Sequence, residues 1–334
     1  MLLHDDGTHL WDVPLSGRPR VLWTHPRVDV YQIAAAPDGI ELAYSVGLPG
    51  GRGSVLYELM PDGRIRAVAT ASDGTSMVSP VFVRPPTDPT GPLRLYWVAR
   101  ASAAVDLATQ TPRLSVMTLG PRAPEPVVVP LRWGEAPFQL SAYPGTPAIA
   151  LMVFRRDNIP TRLEVLREDD LYAGARESSP TVWGYWQSVA NTDVEAGVAW
   201  VSPTTYVAGV GQQDTLPVYS LKEFRYGCEF FGSHPVYTGS RLDLSTSDVL
   251  WPLLPFGSHT VLAIGRAAAA AAAASGATGG PVRAPWLAID LRTGSIRVTG
   301  ADWDGNGAWT TVQPAVRFPL GATPECGGVR WTYP

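Results

Sequence analysis

Three oxygen-bearing side chains stand at alternate positions in the segment Asp302-Trp-Asp-Gly-Asn-Gly307: Asp302, Asp304 and Asn306. Donors spaced this way can wrap a hard cation, and glycine permits the sharp turn that such a loop needs. The segment matches the first half of an Asp-x-Asp-x-Asn-Gly calcium loop, with Gln313 where an EF-hand places its bidentate Glu. The same residues also suit plain turn chemistry, as Ser72-Asp-Gly74 does at the corresponding place between two other repeats. Both readings stand, so calcium is the one cofactor for which the chain offers candidate ligands.

The other chemistry-bearing residues are less organised. Ala43-Tyr-Ser-Val-Gly47 half-matches the G-x-S-x-G nucleophile elbow, but that elbow needs a strand-to-helix turn, and no helix is expected after Gly47. Histidines 4, 9, 25, 234 and 259 show neither H-x-x-x-H nor H-E-x-x-H spacing. Cys228 and Cys326 form no C-x-x-C pair. They read as buried thiols, or as a disulfide if the fold brings them together. Arg155-Arg-Asp157 with Arg162, and Arg167-Glu-Asp-Asp170, read as solvated turns and cross-strand pairs. Trp183, Tyr185 and Trp186, followed by Gln187, read either as packing residues or as a sugar-stacking platform. No catalytic residue is assigned.

The elements that must position these residues are strands. Runs rich in Val, Ile, Leu, Tyr and Trp recur every 8 to 12 residues between Gly, Pro, Asp and Ser. The best-preserved unit is Ile33 to Val46, in which an apolar strand enters a Pro-Asp-Gly turn and a second strand alternates away. A four-stranded unit repeating about every 50 residues predicts a β-propeller. Six blades are expected over residues 1–334 as one domain, with a low-complexity insertion at about 266–283. The last blade is expected to combine two C-terminal strands, near Thr311 to Phe318 and Gly328 to Tyr333, with His9 to Val13 and Arg20 to Trp23. Two packed β-sandwiches are the alternative. Trp97, Trp286 and Trp331 recur at matched positions and predict inter-blade packing with bonded indole N–H groups.

Composition narrows the function classes. Hydrophobic residues make up 45%, enough for a large core, whereas charged residues are only 17% against the usual quarter or so. The net charge of −4 gives no electrostatic reason to expect nucleic acid. No uninterrupted apolar run of spanning length occurs, so no membrane span is expected. Met-Leu-Leu-His-Asp-Asp-Gly7 lacks the basic and apolar regions of a secretory leader. Lysine occurs once, at Lys222, amid abundant Arg, Ala and Pro, a composition associated with actinobacterium-like, GC-rich genomes.

Ala36-Pro-Asp-Gly39 followed by Glu41-Leu-Ala-Tyr44 resembles the repeat of TolB-type six-bladed propellers, with Ala36 in place of the family's Ser. Met60-Pro-Asp-Gly63 is a similar turn placed between third and fourth strands. His9-Leu-Trp-Asp12 resembles the end of a WD40 strand. The resemblance implies a propeller fold and a tendency toward protein binding, not an activity. The expectation is therefore a non-catalytic bacterial binding or scaffold protein. It would be monomeric, extracytoplasmic if the chain is a mature or excised domain, and would hold a protein or cell-envelope ligand on one face. The alternative is a hydrolase or lyase with its site in the central channel, calcium-dependent if the Asp302, Asp304 and Asn306 loop holds the ion.

Overall fold

The first hairpin shows how local sequence becomes structure. Leu2 to Asp5 and His9 to Asp12 fold back on each other around Asp6-Gly7-Thr8, because the Asp6 carboxylate accepts hydrogen bonds from the Thr8 and His9 backbone N–H groups at 2.8 and 2.7 Å. The computed structural model describes residues 1–36, 39, 41–50, 53–71, 74–83, 91–100, 112–120, 125–129, 140–142, 149, 172, 254–257, 259–264, 283–293, 295–304 and 307–312 with their side chains. Of residues 51, 101, 135–139, 148, 150–155, 162–167, 198–202, 205–210, 220–225, 249–253 and 265 it describes the backbone alone.

Among the described residues, the regular elements that carry the architecture are strands. They are β1 (Leu2–Asp5), β2 (His9–Asp12), β3 (Arg20–Thr24), β4 (Asp29–Ala35), β5 (Leu42–Gly47), β6 (Ser54–Leu59), β7 (Ile65–Ala71), β8 (Thr75–Val83), β9 (Arg94–Ala101), β10 (Arg113–Thr118) and β11 (Val127–Val129). There follow β12 (Glu135–Ala142), β13 (Ala148–Arg155), β14 (Arg162–Arg167), β15 (Val198–Ser202), β16 (Thr205–Val210), β17 (Ser220–Arg225), β18 (Val249–Pro255), β19 (Thr260–Gly265), β20 (Ala284–Asp290), β21 (Ile296–Trp303) and β22 (Ala308–Thr311).

These strands make an all-β propeller of four-stranded antiparallel blades. Four blades are complete: β4 to β7, β8 to β11, β18 to β21, and β22-β1-β2-β3. Two further antiparallel sheets, β12 to β14 and β15 to β17, have three strands each among the described residues. Where the sequence predicts six four-stranded blades, four such blades are found among the described residues. The expected fourth strands at Thr181 to Trp186 and Val236 to Thr238 lie outside the described residues.

The blade that joins the chain ends departs from expectation. It takes three strands from the N-terminal segment and one, β22, from the C-terminal side, rather than two from each. Leu2-Leu3-His4-Asp5 escapes a sequence reading because two apolar residues followed by two polar ones show no alternation, and all four are buried. The partner strand is Ala308–Thr311, upstream of the predicted run, and Gly328 to Tyr333 lies outside the described residues. In the blade interiors, turn chemistry follows prediction. Met60 and Arg64 close the β6–β7 hairpin (Met60 N–H to Arg64 O, 2.8 Å), and Gly39 donates to the Ala36 carbonyl at 2.8 Å. Pro37 and Asp38 lie outside the described residues.

Core wedges lie between successive sheets. Leu56, Leu95, Trp97 and Phe82 fill the gap between β4–β7 and β8–β11, while Leu3, Leu10, Ile33 and Tyr44 fill that between β22-β1-β2-β3 and β4–β7. Trp286, Leu2 and Ile264 pack β18–β21 against the blade of the chain ends. Buried serines stitch neighbouring blades. Ser45 Oγ donates to the Met77 carbonyl, and Ser54 Oγ accepts from the Met77 N–H at 2.7 Å. Such bonds satisfy polar groups that would otherwise oppose burial.

Candidate functional site

The richest polar constellation gathers where β1 and β22 meet, at one end of the strands. Asp5, the last residue of β1, is fully buried. Its Oδ1 accepts from the Gly7 N–H at 2.8 Å, and its Oδ2 lies 2.9 Å from His25 Nε2. The other His25 ring nitrogen, Nδ1, lies 2.9 Å from the Pro26 carbonyl. A carbonyl can only accept, so Nδ1 donates, and Nε2 and the carboxylate share the remaining proton contact. Both ring nitrogens are thus occupied by protein partners, which makes His25 a tether rather than a base facing substrate. Trp23 lies over this imidazole, with ring centroids 4.7 Å apart.

Burial, with the Asp5 charge second, pushes the Tyr44 hydroxyl far above the ordinary phenol range. Asp6 shows the opposite balance. Burial favours its neutral form, but the Trp11 indole, the Thr8 hydroxyl and the Thr8 and His9 backbone N–H groups outweigh it and hold the carboxyl well below the usual range.

Of the predicted calcium ligands, Asp304 falls beside this cluster. Asp302 is an exposed residue within β21, opposite Pro285 of β20. Asp304 follows the strand, with Oδ1 3.6 Å from His4 Nε2. Asn306 lies outside the described residues. His4 stacks on Trp309 at 4.0 Å between centroids and 7° between planes. Among the described residues, no three His, Cys, Asp or Glu side chains converge as a metal-binding group.

Ser45 is buried and bonded to the next blade, so the Ala43–Gly47 half-motif presents no exposed nucleophile. His9 contacts Asp6 at 3.4 Å, and His259 is exposed. His234, Cys228, Cys326, Trp183, Tyr185, Trp186, Gln187 and Trp331 lie outside the described residues. Trp97 and Trp286 are buried between blades as expected. The Trp286 indole N–H corrects its prediction, however, having no hydrogen-bond partner among the described residues, and the same holds for Trp309. The Asp5–His25 pair was not foreseen. Its members are 20 residues apart and carry no local signal beyond Asp-Asp-Gly and His-Pro at two turns.

No family model matches the chain, and no curated protein does. Solved structures share its fold. The crystal structure of a nidogen/laminin complex is similar with a TM-score of 0.55 and 12% identity, covering 93% of this chain and 98% of that one. Oligopeptidase B from Trypanosoma brucei, with covalently bound antipain, is similar with a TM-score of 0.52 and 11% identity over 90% of this chain. A prolyl endopeptidase gives a TM-score of 0.51 and 13% identity over 89%. The matches extend over only 38% and 41% of those two peptidase chains. At such identities the likeness shows the propeller fold alone.

Proposed function

We propose that the chain is a non-catalytic binding or scaffold propeller of six blades that holds a protein or cell-envelope ligand on one face. Support for six blades comes from the two three-stranded sheets, whose first strands β12 and β15 adjoin the first strands of their neighbours, as those of the complete blades do.

The observation that carries the binding reading is topological. In antiparallel blades, all connections from second to third strand leave the same end of the sheets as those from one blade to the next. The connections 102–112, 156–161, 211–219 and 266–283 are all of this kind, and so is the 304–307 link that follows Asp302. The two longest connections between paired strands, 266–283 and 102–112, therefore share one end, with the next longest, 84–93, at the other. Long loops gathered on one end are the arrangement by which a rigid scaffold carries a variable recognition surface.

The test replaces 102–112 and 266–283 with short Gly-containing turns. Photo-crosslinkers are then placed at Arg27 on this end and at Asp62 on the opposite end of the parent. A discrete crosslinked partner from position 27 alone, lost in the loop-shortened protein while its cooperative melt persists, is the expected result. Equal capture from both ends, or capture that survives loop shortening, would overturn the reading.

A further inference from the structure

Asp5 is the point at which the N-terminal strand β1, the strand β22, the first complete blade and the connector into it meet. Its backbone pairs with Ala308 at the start of β22. Its carboxylate holds His25, and the connector that His25 begins is pinned to the β1–β2 turn by His25 N–H to Thr8 O and Val28 N–H to Gly7 O, each 2.9 Å. Gly307, leading into β22, sits so close to the Asp5 carbonyl that a β-carbon there would lie 2.0 Å from the oxygen. Tyr44 of β5 lies within the field of the same carboxylate.

We propose that the Asp5–His25 pair is a latch on ring closure. While it is made, β22 stays docked on β1. When it is broken, this seam opens locally and the other blades remain folded.

Three observations carry the proposal. The pair is almost wholly buried, with side-chain exposures of 0% for Asp5 and 5% for His25, so loss of either member leaves a buried group without its partner. The ladder it guards is short, Leu2 to Asp5 against Thr311 to Ala308, extended by Val312 N–H to the Met1 carbonyl at 2.9 Å. The stitches between β4–β7 and β8–β11, at Ser45 and Ser54, do not involve it. A short ladder joining two distant segments of the chain is the kind of unit that opens below the global unfolding free energy.

Hydrogen exchange on the full chain tests this with His25→Phe, which removes the partner and leaves the carboxylate. Amides of 2–5 and 308–312 are expected to exchange at least about tenfold faster than in the parent, while those of β5, β6, β9 and β10 keep their protection. Unchanged exchange at the seam, or equal acceleration in every sheet, would overturn the latch. A second variant covers failure of His25→Phe to fold. Leu3→Cys with Thr310→Cys, which face each other across the seam, is combined with His25→Phe in a Cys228→Ser, Cys326→Ser background. The oxidised form is expected to fold and to regain seam protection. If closing the seam covalently does not rescue the variant, the pair is not a latch.

Discussion

Gly307 and Gly63 both adopt positive φ, at +67° and +81°, but their surroundings differ. A β-carbon on Gly63 meets nothing within 4 Å, so Gly63→Ala carries only the left-handed backbone penalty of about 1 kcal/mol. A β-carbon on Gly307 collides with the Asp5 backbone, which cannot swing aside as a side chain would. Gly307→Ala is expected to cost about 3 kcal/mol or more, and paired denaturant melts of the two variants check the contrast. Asp6 makes a pH prediction at the same scale. Its folded pKa is depressed, so its contribution is fully present above the unfolded aspartate value of about 3.9 and is lost as pH falls from there through the folded value. The stability gap between the parent and Asp6→Asn should be widest near neutrality and should narrow below pH about 4 in melts across pH. Calcium titration tests the Asp302-to-Asn306 loop. A rise in melting temperature in the parent, lost in Asp302→Ala and Asp304→Ala, is what calcium ligation requires.

Between elements, the blades hold together through side chains that reach across them. Arg66 of β7 pairs with the buried Glu58 of β6 and donates to the Gly120 carbonyl beyond β10 at 2.6 Å, tying one blade to the next. Arg66→Ala leaves Glu58 buried without its cation and is expected to cost about 3 kcal/mol, whereas a Glu58→Gln, Arg66→Met double variant should recover much of that loss. Leu56, fully buried in the same wedge, should cost about 2–5 kcal/mol as Leu56→Ala. The element scale is also where sequence was most legible. Turns such as Met60 to Arg64 and strands such as Arg94–Ala101 follow from local preferences of Gly, Asp and Pro and from β-branched and aromatic runs. The bulge in β8 between Val78 and Val81 was not legible. Ser79 takes φ 52° there because its N–H meets the Gln32 side chain of the neighbouring blade, a partner 47 residues away.

For the whole molecule, joining the ends is the decisive step. A disulfide between Leu3→Cys and Thr310→Cys would close nearly the entire chain into one loop and is expected to stabilise the protein by up to about 4–5 kcal/mol, read as a higher melting temperature on oxidation. By itself, the sequence determined the all-β class, the four-stranded repeat and turns such as Met60 to Arg64, because each depends on residues within a few positions of one another. Tertiary structure alone decided that Leu2–Asp5 is a strand, that β22 rather than a longer C-terminal pair completes its blade, and that Asp5 meets His25. Those outcomes rest on contacts between distant segments, whose free energy appears only once the ring brings them together. Local patterning carries no trace of a partner three hundred residues away.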